Sequence, residues 1–256
     1  MKITIEPIKA SSLKDVFIKE FEKMIFSGAF EIGEKLPPER ELAKGMGVSR
    51  PVVHEGLVNL AAKGLVSMKP RIGTFINDYR KEGSVSLLTS LFKYSDGPVS
   101  EKLLKSLLDM RMLFESENAR LAACNRTERH IDQFYTILDQ EKKINTRGSV
   151  ETGNPVDQIH SGLLKEIVDI DFAFHHLISM ASDNLIYPVL LNSLKPFYIS
   201  FTQKFFLNHS VRDKVFQFHH QIVTSIVDQD SDKSETIMKQ MLLHGETHLA
   251  SVLKKK

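Results

Sequence analysis

Cysteine and tryptophan are nearly absent from this chain of 256 residues, which has one cysteine, Cys124, and no tryptophan. A single cysteine excludes an internal disulfide framework and fits a reducing compartment. Long apolar runs are absent too, because charges interrupt each run before it reaches the roughly 20 residues that cross a bilayer. The first residues also lack the apolar core of a signal peptide. We therefore expect a cytoplasmic protein with no membrane partner.

An excess of charge of either sign is also missing, since 34 Lys and Arg residues face 32 Asp and Glu residues, for a net charge of +2. So small an excess does not by itself indicate a nucleic-acid partner, and the local placement of charge has to supply that evidence. Hydrophobic residues make up 42% and charged residues 26% of the chain. This composition is typical of a folded globular protein, and the length suits one large domain or two modest ones.

Residues 36–76 are the most informative stretch, because their proline and glycine positions predict a small winged unit. The Pro37-Pro38 pair opens a short helix, and the Gly47-Val48 turn separates it from a second one that begins after Ser49. Two short strand-like runs follow, joined by the basic hairpin 69–73. A helix-turn-helix followed by such a wing is a device for binding double-stranded DNA.

The second helix of this pair is expected to present its first turn to DNA. Val53, Leu57 and Leu60 share one face, so Arg50 and His54 point the other way. Arg50 is the best candidate for a bidentate guanine contact, worth roughly 1–3 kcal/mol of discrimination. The predicted DNA contacts, which lie on the two helices or on the wing, are Arg40, Ser49, Arg50, Pro51, His54, Lys69, Arg71 and Thr74.

The remainder of the chain has helical periodicity almost to its end. Helices are predicted at 99–124, 127–144, 157–182, 184–208, 211–228 and 232–254. The polar stretch 146–157, TRGSVETGNPVD, predicts a loop. The sequence thus predicts a mainly α protein with a winged helix-turn-helix domain at 8–78, a connector at 79–98 and an all-α helical-bundle domain at 99–254.

Histidines cluster in the second half of the chain, and their spacing is compatible with a metal site. Asp171 and His175 lie four residues apart and project from the same face of a helix. A histidine from each of two later helices would complete a set of one carboxylate and three imidazoles, which suits Zn²⁺ or Ni²⁺. Taken alone, each histidine is better explained as a surface or core residue than as a ligand.

The N-terminal motif resembles the GntR family of bacterial transcription regulators. The likeness rests on the runs LPPERELA at 36–43, GVSR at 47–50 and GTF at 73–75, in fixed spacing with three further apolar and glycine positions. The family usually has Arg where this chain has His54, Ala at Gly56 and Gly at Arg71. The resemblance implies a homodimer that binds an inverted-repeat operator, as a repressor or as an activator.

The C-terminal half resembles the FCD effector domain of the FadR subgroup. The likeness rests on RMLFE at 111–115, DFAFH at 171–175 and ASDN at 181–184. The resemblance implies a divalent metal that helps to bind a small carboxylate effector. The residues matched to the metal site are Asp171, His175, His220 and His244, with His219 and His248 as alternatives to the last two. Arg111 and Asn184 are matched to the effector, although Arg111 could equally pair with Glu115 one turn along its helix.

Two alternatives remain open at this point. The runs at 184–195 and 218–222 also resemble the fatty-acid-responsive members of the family, which bind acyl-CoA without a metal. A metal-dependent hydrolase is the more remote alternative. The chain has no H-E-x-x-H, G-x-S-x-G or phosphate-binding glycine motif, so we expect a regulator and not an enzyme.

Overall fold

The computed structural model describes residues 12–94, 101–151 and 161–253, which fall into two compact units, 1–97 and 98–256. Residues 8–11 of the predicted first domain, 95–98 of the predicted connector, 99–100 and 254 of the predicted second domain and 152–157 of the predicted loop lie outside the described residues. Among the described residues no helix is long and apolar enough to span a membrane.

The first unit is a winged helix-turn-helix, as the sequence predicts. Its elements are α1 (Leu13–Phe26), α2 (Glu39–Met46), α3 (Arg50–Ala62), β1 (Val66–Lys69), β2 (Gly73–Ile76), α4 (Tyr79–Glu82) and α5 (Ser86–Tyr94). The two strands pair antiparallel, with Val66 opposite Ile76 and Lys69 opposite Gly73. The hairpin between them is the wing.

Local sequence signals account for the ends of these helices. Ser12 caps α1, its hydroxyl accepting a hydrogen bond from the Asp15 backbone N–H. Gly47 ends α2 with a left-handed φ of 66°, a conformation that favours glycine. The predicted apolar face of α3 packs against Phe17 and Phe21 of α1 in one core. One face of α3 is thereby held in the core, while its other face stays exposed.

The two helices of the predicted connector pack within the first unit. Glu22 of α1 is buried, and its Oε1 accepts hydrogen bonds from Lys63 Nζ at 2.5 Å and from Ser90 Oγ of α5 at 2.6 Å. Ser84 N–H also donates to the Lys63 carbonyl at the end of α3. A buried charge of this kind is stable only with such partners, so it fixes α5 to α1.

The second unit is an all-α bundle, again as predicted. Its helices are α6 (Glu101–Asn125), α7 (Glu128–Glu151), α8 (Ser161–Ala181), α9 (Tyr187–Phe205), α10 (His209–Val227) and α11 (Ser231–Leu253). α6 packs against α8, α10 and α11, and α8 also packs against α7 and α9. The prediction of a loop at 146–157 was wrong over residues 146–151, because these residues continue α7 as a helix.

Candidate functional site

The exposed face of α3 carries three predicted DNA contacts. Val53 is fully buried, while Arg50, Pro51 and His54 are exposed. Ser49 occupies the N-cap position, yet its side chain makes no capping hydrogen bond. Its hydroxyl therefore stays available at the helix end where the dipole favours a phosphate.

His54 is linked to the preceding helix. Its Nδ1 lies 2.8 Å from Glu39 Oε1, and more than half of its side chain is exposed. Arg40, the residue after Glu39, is also exposed. The departure from the family's arginine at 54 thus places an imidazole and a carboxylate together on this surface.

The wing turns at Pro70 and Arg71. Ile72 N–H donates to the Lys69 carbonyl at 3.0 Å, and Arg71 has a φ of 63°. Proline followed by a residue of positive φ is the arrangement of a type II turn, whose third position favours glycine or asparagine. An arginine there costs about 1–2 kcal/mol of backbone strain, and it is exposed at the tip of the wing.

Lys35 adds a basic residue that sequence reasoning missed. It forms an isolated antiparallel bridge with Phe75, so the backbone before α2 runs beside β2. A Cβ atom at Gly73 would lie 2.7 Å from Lys35 Cε, so the lysine stem crosses the hairpin at that glycine. Lys69 Nζ lies 5.2 Å from the centre of the Phe75 ring, and Thr74 on β2 is half-buried. In the sequence, Lys35 stands directly before the 36–43 run, and a basic residue at that place could have indicated a role beside the motif.

A buried polar cluster occupies the second unit. Asp171 and His175 of α8 and His219 of α10 each offer a ligand atom within 4.8 Å of the others. All three residues are buried. The structure thus brings together two of the four predicted ligands with His219, the alternative to His220.

His220 is exposed and does not belong to this cluster. The reason is the register of α10, whose positions 215, 219, 222 and 226 form one buried stripe. Residue 220 lies about 100° further around the helix. Of the two histidines that the sequence left as alternatives for this position, His219 and not His220 therefore lies in the candidate site.

A carboxylate lies beside the Nδ1 atom of each clustered imidazole, and at His219 it forms a hydrogen bond. Glu141 Oε1 of α7 lies 2.6 Å from His219 Nδ1, and Glu115 Oε2 of α6 pairs with His175 Nδ1. At His219, a carboxylate that accepts the Nδ1 proton leaves the lone pair on Nε2, the arrangement found around metal-bound histidines. His219 Nε2 is buried with no hydrogen-bond partner among the described residues, 3.6 Å from Asp171 Oδ1.

Arg111 and Tyr198 complete the network. Arg111 Nε donates to Glu115 Oε1 at 2.5 Å, and its guanidinium lies 4.8 Å from the centre of the Tyr198 ring. Tyr198 Oη donates to Asp171 Oδ2 at 2.6 Å. Burial raises the pKa of Glu115, but the charges of Arg111 and His175 outweigh it and lower the pKa to about 2. Burial, followed by the charge of Asp171, raises the pKa of Tyr198, so the phenol stays a neutral donor.

The charge of the network favours a cation. The carboxylates of Glu115, Asp171 and Glu141 face one guanidinium, that of Arg111. Three acidic side chains and one guanidinium leave an excess of two acidic side chains in the network. Uncompensated charge is expensive in a buried site, and one divalent cation would neutralise it.

Two predicted residues lie elsewhere. His244 of α11 packs against His248, with the two rings tilted and their centres 4.4 Å apart, and is not in the cluster. Burial, and then the charges of His248 and Lys214, lower the pKa of His244. Asn184 caps the start of α9, its Oδ1 accepting from the backbone N–H of Ile186 at 2.9 Å and of Tyr187 at 3.3 Å.

A cavity lies beside the cluster. Arg111, Asp171, His175 and Tyr198 form its polar end. Most of the remaining wall is apolar and comes from α6, α9, α10 and α11. The cluster can therefore meet a small ligand at one end of a mainly apolar space.

Comparison with known proteins identifies the family. Residues 16–76 match the family described as bacterial regulatory proteins, gntR family, and residues 77–254 match the FadR C-terminal domain. The chain belongs to the GntR family. The GntR-family regulator LutR of Bacillus subtilis (strain 168) is 27% identical over 234 residues, 89% of this chain and 96% of LutR.

Two further relatives agree with this assignment, and one solved structure supports the fold. The fatty acid metabolism regulator protein of Klebsiella pneumoniae (strain 342) is 24% identical over 84% of this chain and 81% of its own. Mce2R of Mycobacterium tuberculosis is 31% identical over 47% of this chain, a match that spans half of Mce2R. The solved structure is that of Lar, which controls the expression of the Listeria monocytogenes agr system. It matches 95% of this chain and 99% of Lar with a TM-score of 0.57 at 15% identity, which supports the fold. These relatives are regulators, which agrees with the expectation that this GntR-family chain is not an enzyme.

Proposed function

We propose that this GntR-family protein is a metal-assisted sensor of a carboxylate metabolite, which binds operator DNA as a homodimer and changes its operator affinity when the metabolite binds. The observation that carries the proposal is the buried cluster of Asp171, His175 and His219, in which Glu141 holds His219 at Nδ1 and His219 Nε2 lies 3.6 Å from Asp171 Oδ1. Such outer carboxylates orient histidines for metal binding.

The donor set fits a transition metal. Asp171, His175 and His219 offer one oxygen and two nitrogen atoms, a combination that suits Zn²⁺ or Ni²⁺ and leaves coordination positions open. When bound, the ion would supply positive charge for an effector carboxylate. Arg111 lines the same cavity and adds a second positive group at that end.

Acyl-CoA sensing without a metal is the second candidate. The apolar wall of the cavity and the similarity to the Klebsiella fatty acid regulator favour it. The apolar acyl chain of such a ligand, however, gains nothing from three carboxylates and two imidazoles buried beside it, and such groups are costly to bury. The polar cluster therefore favours the metal-assisted sensor.

The winged unit would bind DNA through Arg40, Ser49, Arg50, Pro51 and His54. The wing would add Lys69, Arg71 and Thr74. A homodimer would present two such surfaces to an inverted repeat, because two-fold protein symmetry requires two-fold symmetry in the site. Effector control requires that the metabolite bind the DNA-competent and DNA-incompetent states with different affinities.

Two variants test the division of roles. Operator sequences are first selected from random DNA with the purified protein, and binding is then followed by fluorescence anisotropy. Arg50→Ala should abolish sequence preference and keep the metal, whereas His175→Ala should lose the metal and keep sequence preference. If Arg50→Ala still separates operator from random DNA, α3 is not the recognition helix.

A saturating effector tests the coupling between the two units. The wild-type protein should change its operator affinity when the effector is added, and His175→Ala should not respond. An effector that binds the wild-type protein yet leaves operator affinity unchanged would contradict the sensor.

A further inference from the structure

The cavity beside the buried polar cluster has two chemically different ends. Arg111, Asp171, His175 and Tyr198 close one end with polar groups. Away from them, the wall is built from aromatic and aliphatic side chains. These include Phe201, Phe205, Phe206, Val215, Met241 and Leu242.

The polar groups elsewhere in the wall do not suit a second anion. Thr202 lines the cavity, but its hydroxyl already donates to the Tyr198 carbonyl at 2.7 Å. Glu246 also lines the cavity and is itself a carboxylate, and Lys105, whose Nζ lies 3.9 Å from it, does not line the cavity. A second negative group on the effector would therefore meet apolar carbon or like charge, and both are unfavourable.

Gly245 of α11 also lines the cavity, opposite Phe205. Glycine inside a helix is less stable than alanine, so its presence needs a reason. Its φ is not positive, and an added Cβ would lie 3.8 Å from Phe205 Cζ, an ordinary contact. Neither backbone strain nor a clash therefore requires glycine, and what it preserves is open space next to Phe205.

We infer that the effector is an amphipathic monocarboxylate whose apolar body lies along the Phe201–Phe205 side of the cavity, and that Gly245 sets how long this body can be. The inference rests on the proposed function for the position of the carboxylate, at the metal and Arg111. It separates this effector from short hydroxy acids and dicarboxylates, which have no apolar body to bury.

A chain-length series tests the inference. Isothermal titration calorimetry of the metal-loaded protein uses unbranched saturated monocarboxylates from acetate to decanoate. Affinity should rise about fourfold per added methylene up to an optimum length, which is the transfer free energy of a buried methylene converted to a ratio. Succinate should bind at least tenfold more weakly than butyrate, which has the same number of carbons.

Gly245→Ala provides the residue-level test. It should shift the optimum to a shorter acid and leave acetate affinity unchanged, while the melting temperature of the unliganded protein stays the same or rises. Gly162→Ala in α8 is the matched control, because a Cβ there meets nothing within 4 Å, and it should leave the whole series unchanged.

The outcomes separate this inference from the proposed function. Affinity that does not depend on chain length, a preference for succinate, or no binding of any acid would overturn the inference even with one metal per chain. A clear chain-length optimum in a protein without metal would support the inference and overturn the metal-assisted sensor. An optimum that is unchanged in Gly245→Ala would overturn the role of Gly245.

Discussion

Gly56→Ala in the recognition helix should destabilise the winged unit, although alanine is the better helix former. Gly56 is buried in α3, facing α1. A Cβ there would lie 2.2 Å from Phe17 Cδ1 and 2.5 Å from Phe17 Cε1. Phe17 is 2% exposed and stacks on Phe21 at 5.1 Å, so its ring has no free space to enter.

Two opposing terms set the size of the effect. Replacing a mid-helix glycine by alanine gains about 1 kcal/mol. Forcing an extra methyl group into a packed core costs about 1–3 kcal/mol, and contacts this short belong at the upper end of that range. The free energy of unfolding should therefore fall by roughly 1–2 kcal/mol, the overpacking cost less the helix gain.

Urea denaturation followed by circular dichroism measures this change. Gly45→Ala in α2 is the matched control, because an added Cβ meets nothing within 4 Å, and it should be neutral or stabilising. The double variant Phe17→Leu with Gly56→Ala should recover part of the loss, since a smaller side chain at 17 relieves the clash. Stabilisation of the single Gly56→Ala variant by about 1 kcal/mol, the helix term alone, would refute this reasoning.

Three further variants test the wing, the bundle core and the metal cluster. Arg71→Gly should relieve the left-handed backbone strain and raise the free energy of unfolding by about 1 kcal/mol. It should also lower the slope of log affinity for DNA against log salt concentration by about one unit. An unchanged slope in a salt series of anisotropy titrations would exclude Arg71 as a phosphate contact. Arg212→Met should stabilise the bundle by about 1–3 kcal/mol in urea denaturation, because the buried Nε and Nη1 atoms of Arg212 have no hydrogen-bond partner among the described residues, and the ion pair of Nε with the exposed Asp213 at 3.5 Å is weak. A loss of stability would show that this ion pair outweighs the cost of the two buried atoms. Glu141→Gln should weaken metal binding about 10- to 100-fold in competition with a chromophoric chelator. The control Asp139→Asn, at an exposed position on the same helix, should leave metal affinity unchanged. Equal metal affinities of Glu141→Gln and the wild-type protein would show that Glu141 does not support His219.

The fold could be predicted well because its signals are local. Proline pairs, glycine turns and apolar spacing define the helix-turn-helix and the wing without reference to distant residues. The packing of α5 could not be predicted in this way. It depends on Glu22, a charged residue on the buried face of α1, whose partners Lys63 and Ser90 come from distant positions in the chain.

The candidate site was predictable in part. The four-residue spacing of Asp171 and His175 is a helical pattern, and the structure places both residues in one cluster. Burial periodicity in α10 would have favoured His219 over its neighbour, because 219 continues the apolar stripe. Glu141 carried a comparable signal as a lone carboxylate in the buried stripe of Phe134, Ile137 and Ile144 on α7. Tertiary pairing of Glu141 with His219 joins residues 78 positions apart, and no local pattern contains that information.

Metal content of the purified protein tests the central claim most directly, with the adjacent histidines as an internal control. His219→Ala removes a clustered ligand, whereas His220→Ala removes an exposed imidazole one residue away. Elemental analysis should find about one transition metal per chain in the wild-type protein and in His220→Ala, and little in His219→Ala. No metal in the wild-type protein, or a loss in His220→Ala with retention in His219→Ala, would contradict the account.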